Sequence, residues 1–106
     1  MSFADNLATF PDVENISAIL ITNSAGDAID RIENAPGKQG SLKLYKALLE
    51  EFGELNATAA KKGLELFAEH VADAETNPGK HPNIDRLFAI AQSEASLGLK
   101  VLEKSD

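Results

Sequence analysis

The sequence predicts an α+β domain: a small, mostly antiparallel three-stranded sheet covered by three main helices, in the order α-β-β-α-α-α-β. Three observations predict it. Residues 15–33 hold two apolar-rich runs separated by turn chemistry at Asn23-Ser24-Ala25-Gly26-Asp27, which reads as a hairpin. Residues 42–52, 57–75 and 84–95 carry the 3.6-residue periodicity of amphipathic helices. Leu97, Leu99 and Val101 then alternate with Gly98 and Lys100, which fits a last strand joining the hairpin, since a hairpin alone is marginal in water.

Phe3, Leu7 and Phe10 recur at helical spacing, with Ser2 as an N-cap and Pro11 as a stop. In Asn15–Thr22, Ile16, Ala18 and Leu20 fall on one face and Ile19 and Ile21 on the other, which suggests a central strand, or one covered by helices on one side and a partner on the other. Ala28–Glu33 returns as an edge strand guarded by Asp30, Arg31 and Glu33. Asn34–Gly40 is a loop, and Ser41 is the expected cap of the next helix. That helix buries Leu42, Tyr45, Leu48, Leu49 and Phe52, pairs Lys46 with Glu50, and stops at Gly53. Asn56 caps a long helix running to about Glu75, whose apolar arc spans more than half its circumference. Gly63 within it points to a close approach by another backbone. A third long helix carries Ile84, Leu87, Phe88, Ala91 and Ala95, with Pro82 in its first turn and His81 just outside, or with Asn83 as its cap. For residues 97–104, continued helix stands as the alternative to the strand.

At 106 residues the chain is read as one domain, residues 1–106, with no linker or low-complexity stretch. It has no cysteine, which excludes a disulfide framework and thiolate chemistry and suits a reducing cytoplasm. Ten basic and 17 acidic side chains give a net charge of −7. That balance repels nucleic acid and anionic membrane. No apolar run approaches the roughly 20 residues that span a bilayer. Met1-Ser2-Phe3-Ala4-Asp5 has no cationic stretch and is read as part of the domain, not as a signal peptide. Lys38, Lys43, Lys46, Lys61 and Lys62 cluster in sequence, but acids alternate with them and few aromatics interleave, against a nucleic-acid surface.

The chemistry concentrates in two connectors. Ala35-Pro36-Gly37-Lys38 and Asn77-Pro78-Gly79-Lys80 echo one another, and each precedes a helix. Helix starts offer unpaired N–H groups, glycine allows close approach, and lysine adds charge. If the loops meet, Lys38, Ser41, Lys80, His81 and Arg86 form a site for a phosphate or carboxylate. The plain reading is that Pro-Gly makes a turn and lysine solvates it. The spacing departs from a phosphate-binding P-loop. His70, His81 and Asp85, with Asp73, give a remote metal alternative that matches no metalloenzyme spacing. Glu65, Glu69 and Asp73, stacked at i, i+4 and i+8, read as a solvated helix face. No nucleophile–base set stands out, and no cofactor is implied.

Pro36-Gly37-Lys38-Gln39-Gly40-Ser41-Leu42, Gly63-Leu64-Glu65-Leu66-Phe67-Ala68-Glu69-His70 and Pro78-Gly79-Lys80-His81-Pro82-Asn83-Ile84-Asp85-Arg86-Leu87 resemble a small family of uncharacterised bacterial single-domain proteins, a domain of unknown function. The likeness covers nearly the whole chain. It implies a bacterial cytoplasmic protein and supplies no catalytic residue, substrate or cofactor. The expectation is a non-enzymatic binding or regulatory module, with homodimerisation through sheet edges as a further possibility. The two alternatives are a small-anion binding protein or enzyme built on the Pro-Gly-Lys loops, and the metal site.

Overall fold

The computed structural model describes residues 2–93 and 95–104. Strands β1 (Ile16–Thr22), β2 (Ala28–Glu33) and β3 (Gly98–Glu103) form one antiparallel sheet in the order β2-β1-β3. The tail is therefore a strand, and the strand with apolar residues on both faces is the central one. β1 pairs Ile19 with Ile32 of β2 and with Val101 of β3, so the apolar face is continuous across the sheet. Ile19, Ile21 and Ile32 on that face are buried. The edge strand β2 is mostly exposed, and Ile29 stands alone as its exposed large apolar residue. An ion pair of 2.7 Å between Arg31 and Glu33 adds charge to this edge.

The helices are α1 (Phe3–Leu7), α2 (Gln39–Phe52), α3 (Ala57–Phe67), α4 (Glu69–Thr76) and α5 (Pro82–Ala91). Ser2 and Asp5 close a reciprocal capping box on α1. Buried Asn6 donates through Nδ2 to Leu66 O at 2.9 Å, which pins α1 to α3. The apolar stripe of α2 (Leu42, Leu44, Tyr45, Leu48) and Leu87 of α5 are fully buried in the core over the sheet. Gly53 ends α2 at φ 77°, and its N–H donates to Leu49 O at 2.8 Å. Asn56 caps α3 by accepting from the Ala59 N–H at 2.8 Å.

Four details correct the sequence reading. Ser41 is not the cap of α2: Gly37, at φ 83°, turns the chain early, and the helix starts at Gln39 with Lys38 in the cap position and no side-chain cap. The long helix over residues 56–75 is broken at Ala68, whose φ of 53° and ψ of −119° no helix accommodates. What approaches Gly63 is not backbone. A methyl group there would come 2.8 Å from Leu87 Cδ1 and 3.0 Å from Leu48 Cδ1, so the glycine lets α5 and α2 side chains interlock over α3. Ala95 lies beyond the last helix, which ends at Ala91 with Pro82 at N1 and His81 as its cap residue. Among the described residues, no helix is long and apolar enough to cross a membrane.

Candidate functional site

The two connectors fold alike. The Lys38 N–H donates to Ala35 O at 2.9 Å, and the Lys80 N–H donates to Asn77 O at 3.1 Å. Gly37 and Gly79 sit at φ 83° and 91°. Proline second, glycine at positive φ third and a closing hydrogen bond are the marks of a type II turn. Asn34 anchors the first connector, donating through Nδ2 to Val13 O at 3.0 Å and Ile16 O at 2.7 Å. Asp85 anchors the second, accepting the Gly79 N–H at 2.9 Å.

Both turns open onto one cleft of about 520 Å³. Lys38, Ser41, Lys80, His81 and Arg86 all line it. The sequence reading missed its other walls. β2 contributes Asp30, Arg31, Ile32 and Glu33 along one side. Phe3 of α1, Phe67 of α3 and His70 of α4 form an aromatic side. Phe3 stacks on Phe67 (centroids 5.6 Å apart, planes at 10°) and meets the His70 ring edge-on at 5.0 Å. Phe3 lies far along the chain from either loop, whereas β2 runs into the first loop and His70 precedes Asn77 by seven residues; no local pattern announces their convergence.

Most of the cleft's charges are matched internally. Arg86 donates through Nη1 to Tyr45 Oη and to Asn83 Oδ1, each at 3.0 Å, and through Nη2 to Asp30 Oδ2. Tyr45 Oη in turn donates to Asn83 O at 2.6 Å. This network ties β2, α2 and α5 together, with Arg86 in the cleft wall. Burial pushes the Tyr45 phenol up to about 12. For Asp30, burial raises the carboxyl, but hydrogen bonds from Arg86 and the Arg31 N–H outweigh it and hold the group below its ordinary value.

Asp73 is a hub, not part of a solvated stripe. Its Oδ2 lies 2.6 Å from His81 Nε2 and 3.0 Å from Lys80 Nζ. Those hydrogen bonds, His81's first, hold its carboxyl at about 2. An ionised carboxylate only accepts, so His81 carries its ring proton on Nε2. Glu69 is exposed yet accepts the Phe3 N–H at 2.7 Å, which lowers its carboxyl below the ordinary range.

Lys38 differs from the other cations of the cleft. Among the described residues it enters none of the ion pairs. It also stands at the uncapped start of α2, where Leu42 is the first helical residue to find a backbone acceptor, Lys38 O at 3.1 Å. The metal alternative gathers less. The His70 and His81 rings are 6.0 Å apart, while His81 is engaged by Asp73 and Asp85 by the Gly79 N–H. Among the described residues no three His, Asp or Glu side chains converge as metal ligands.

Fold and cleft together define a small α+β domain with a half-open, charge-lined cavity between two Pro-Gly turns, an aromatic wall and a sheet edge. By sequence the chain belongs to the family described as "uncharacterized protein conserved in bacteria (DUF2322)", whose model matches residues 3–101. No curated protein and no solved structure matches it.

Proposed function

We propose that this domain is a binding module of the bacterial cytoplasm whose cleft takes a small anion through a phosphate or carboxylate group. One observation carries the reading: the cleft is lined by four Lys or Arg residues against two Asp or Glu, in a chain where acids outnumber bases 17 to 10. The local sign is opposite to the global one. Among the described residues Lys38 has no ion-pair partner, and the neighbouring start of α2 adds N–H donors. Binding without chemistry fits the tied state of Asp30, Asp73 and Tyr45. Asp30 is engaged by Arg86 and Asp73 by His81 and Lys80, while Tyr45 is held protonated. The bacterial family and the cysteine-free composition support the compartment.

Titration of isotope-labelled protein with inorganic phosphate, followed by amide NMR at constant ionic strength, tests the reading. The Gln39, Gly40 and Ser41 N–H resonances are expected to shift in a saturable way. Lys38→Gln should weaken the effect several-fold without unfolding the domain. Absence of saturable shifts at these amides, or an unchanged response in Lys38→Gln, overturns it.

A further inference from the structure

We propose that the ligand of this cleft is an aromatic anion, in which a flat ring lies against Phe3 and a carboxylate or phosphate attached to it reaches Lys38 and Ser41. This rests on the anion-binding reading and names its ligand class.

Size is the first ground. A cavity of about 520 Å³ falls in the range of roughly 300–1,000 Å³ that holds drug-sized molecules, well beyond the needs of a bare phosphate. The second ground is the kind of wall opposite the charges. Phe3, Phe67, Ile32, Ile84 and Pro82 line the cleft alongside the cations. Sites that hold organic ligands pair apolar surface with a few placed polar groups in this way.

Phe3 is built to serve as that wall. It is only partly buried, whereas Phe67 behind it is 3% exposed. Its backbone N–H is held by Glu69, one ring contact is the stack on Phe67, and His70 meets it edge-on. A ring fixed at this many points offers an apolar surface with little conformational freedom left to lose on binding.

Position links the wall to the charge. The Phe3 ring packs directly on Gly40, where a methyl group would come 3.2 Å from Cε2 and Cζ. Gly40 lies between Lys38 and Ser41, at the first turn of α2. A ring stacked beside Phe3 therefore presents its substituent to Lys38 and Ser41. Lys80 and His81 are the weaker anchor, because the ligand would first have to displace Asp73 from both.

The test is titration of the full chain with phenyl phosphate, benzoate and inorganic phosphate, read at the Gln39–Ser41 amides. Phenyl phosphate is expected to bind about ten-fold tighter than inorganic phosphate, the gain of one aromatic contact. Phe3→Leu should bring the ratio of phenyl phosphate to inorganic phosphate affinity close to one, while Lys38→Gln weakens all binding. Because Phe3→Leu loosens α1 packing, Gly40→Ala provides a second variant: its methyl group displaces the Phe3 ring and should lower the phenyl-to-inorganic ratio in a folded protein. Tighter binding of benzoate or of phenyl phosphate assigns the head group, and either supports the class. Equal affinity for phenyl and inorganic phosphate, or a ratio untouched by both Phe3→Leu and Gly40→Ala, overturns the aromatic ligand and leaves anion binding standing. No response to any of the three probes overturns both.

Discussion

Replacing Ala68 with glycine should stabilise this protein, although glycine in a helix ordinarily does the opposite. Ala68 sits at φ 53° and ψ −119°, between α3 and α4. Its Cβ makes that backbone costly, by about 1–3 kcal/mol for such sparsely populated conformations. Glycine removes the Cβ and with it the strain. Against this, glycine frees the unfolded chain, which costs about 0.4–1 kcal/mol. The balance is a gain of about 1 kcal/mol, or a melting temperature higher by about 5 °C for a domain of this size. The surrounding hydrogen bonds stay in place, because Ala68 contributes only backbone: its N–H donates to Glu65 O at 3.2 Å, and its carbonyl accepts from Val71 N–H at 3.1 Å. Calorimetry and urea unfolding of wild type and Ala68→Gly measure the effect. If residues 56–75 formed the single helix their apolar periodicity implies, glycine would cost about 1 kcal/mol and the melting temperature would fall. A fall refutes the broken helix, so the sign of the change alone decides.

Two further outcomes follow from titrating groups. Asp73 is held at about 2 against an ordinary 3.8, so the folded chain binds its proton more weakly than the unfolded chain. The stability this contributes is present above about pH 4 and is lost as pH falls through about 2. Asp73→Asn should therefore be less stable than wild type at neutral pH and converge with it across that window in urea titrations; a gap that does not narrow with acid refutes the Asp73 hub. Tyr45 is the single tyrosine, and burial raises its phenol from 10.0 to about 12. Native protein should show no tyrosinate absorbance near pH 10, while urea-unfolded protein titrates there. The associated stability is complete below about pH 10 and is lost as pH rises towards 12; a native midpoint near 10 would mean that the Tyr45–Arg86 network is open.

What could be read from the sequence was local, and what could not was tertiary. The hairpin, the α2 stop at Gly53 and the Asn56 cap each follow from a residue acting on its neighbours. Gly98 signalled a strand for a reason visible in the packing: a methyl group there would collide with Thr22 Oγ1 across the β1–β3 pair. The twin turns were legible because Pro-Gly fixes backbone locally. The break at Ala68 was not, since alanine is the best helix former and no glycine or proline marks the place. Contacts from elsewhere set it: Glu69 to the Phe3 N–H, and Asp73 to His81 and Lys80. The Ser41 cap failed because Gly37 reverses the chain soon enough for α2 to start before it. The cleft was half legible. Its loop cations stood out as surplus to turn formation, but Phe3, Phe67 and the β2 residues carry only core or edge signals in sequence.

The charge distribution also bears on the size of partner the cleft can accept. The whole chain carries a net charge of −7, yet the cleft lining holds four cations against two acids, and Asp73, outside that lining, engages Lys80 and His81. At about 0.1 M salt, repulsion from surface acids is largely screened beyond roughly 10 Å. A small anion that enters the cleft exchanges this weak outer repulsion for direct contact with Lys38. On the same proposal, a nucleic acid would not make this exchange. Its charges recur every few ångströms, and those outside the cleft lie against the acidic surface, where there is no counterion release to offset repulsion. For the anion binding proposed above, this pattern would favour a compact anion, with its negative charge confined to one end, over an extended one.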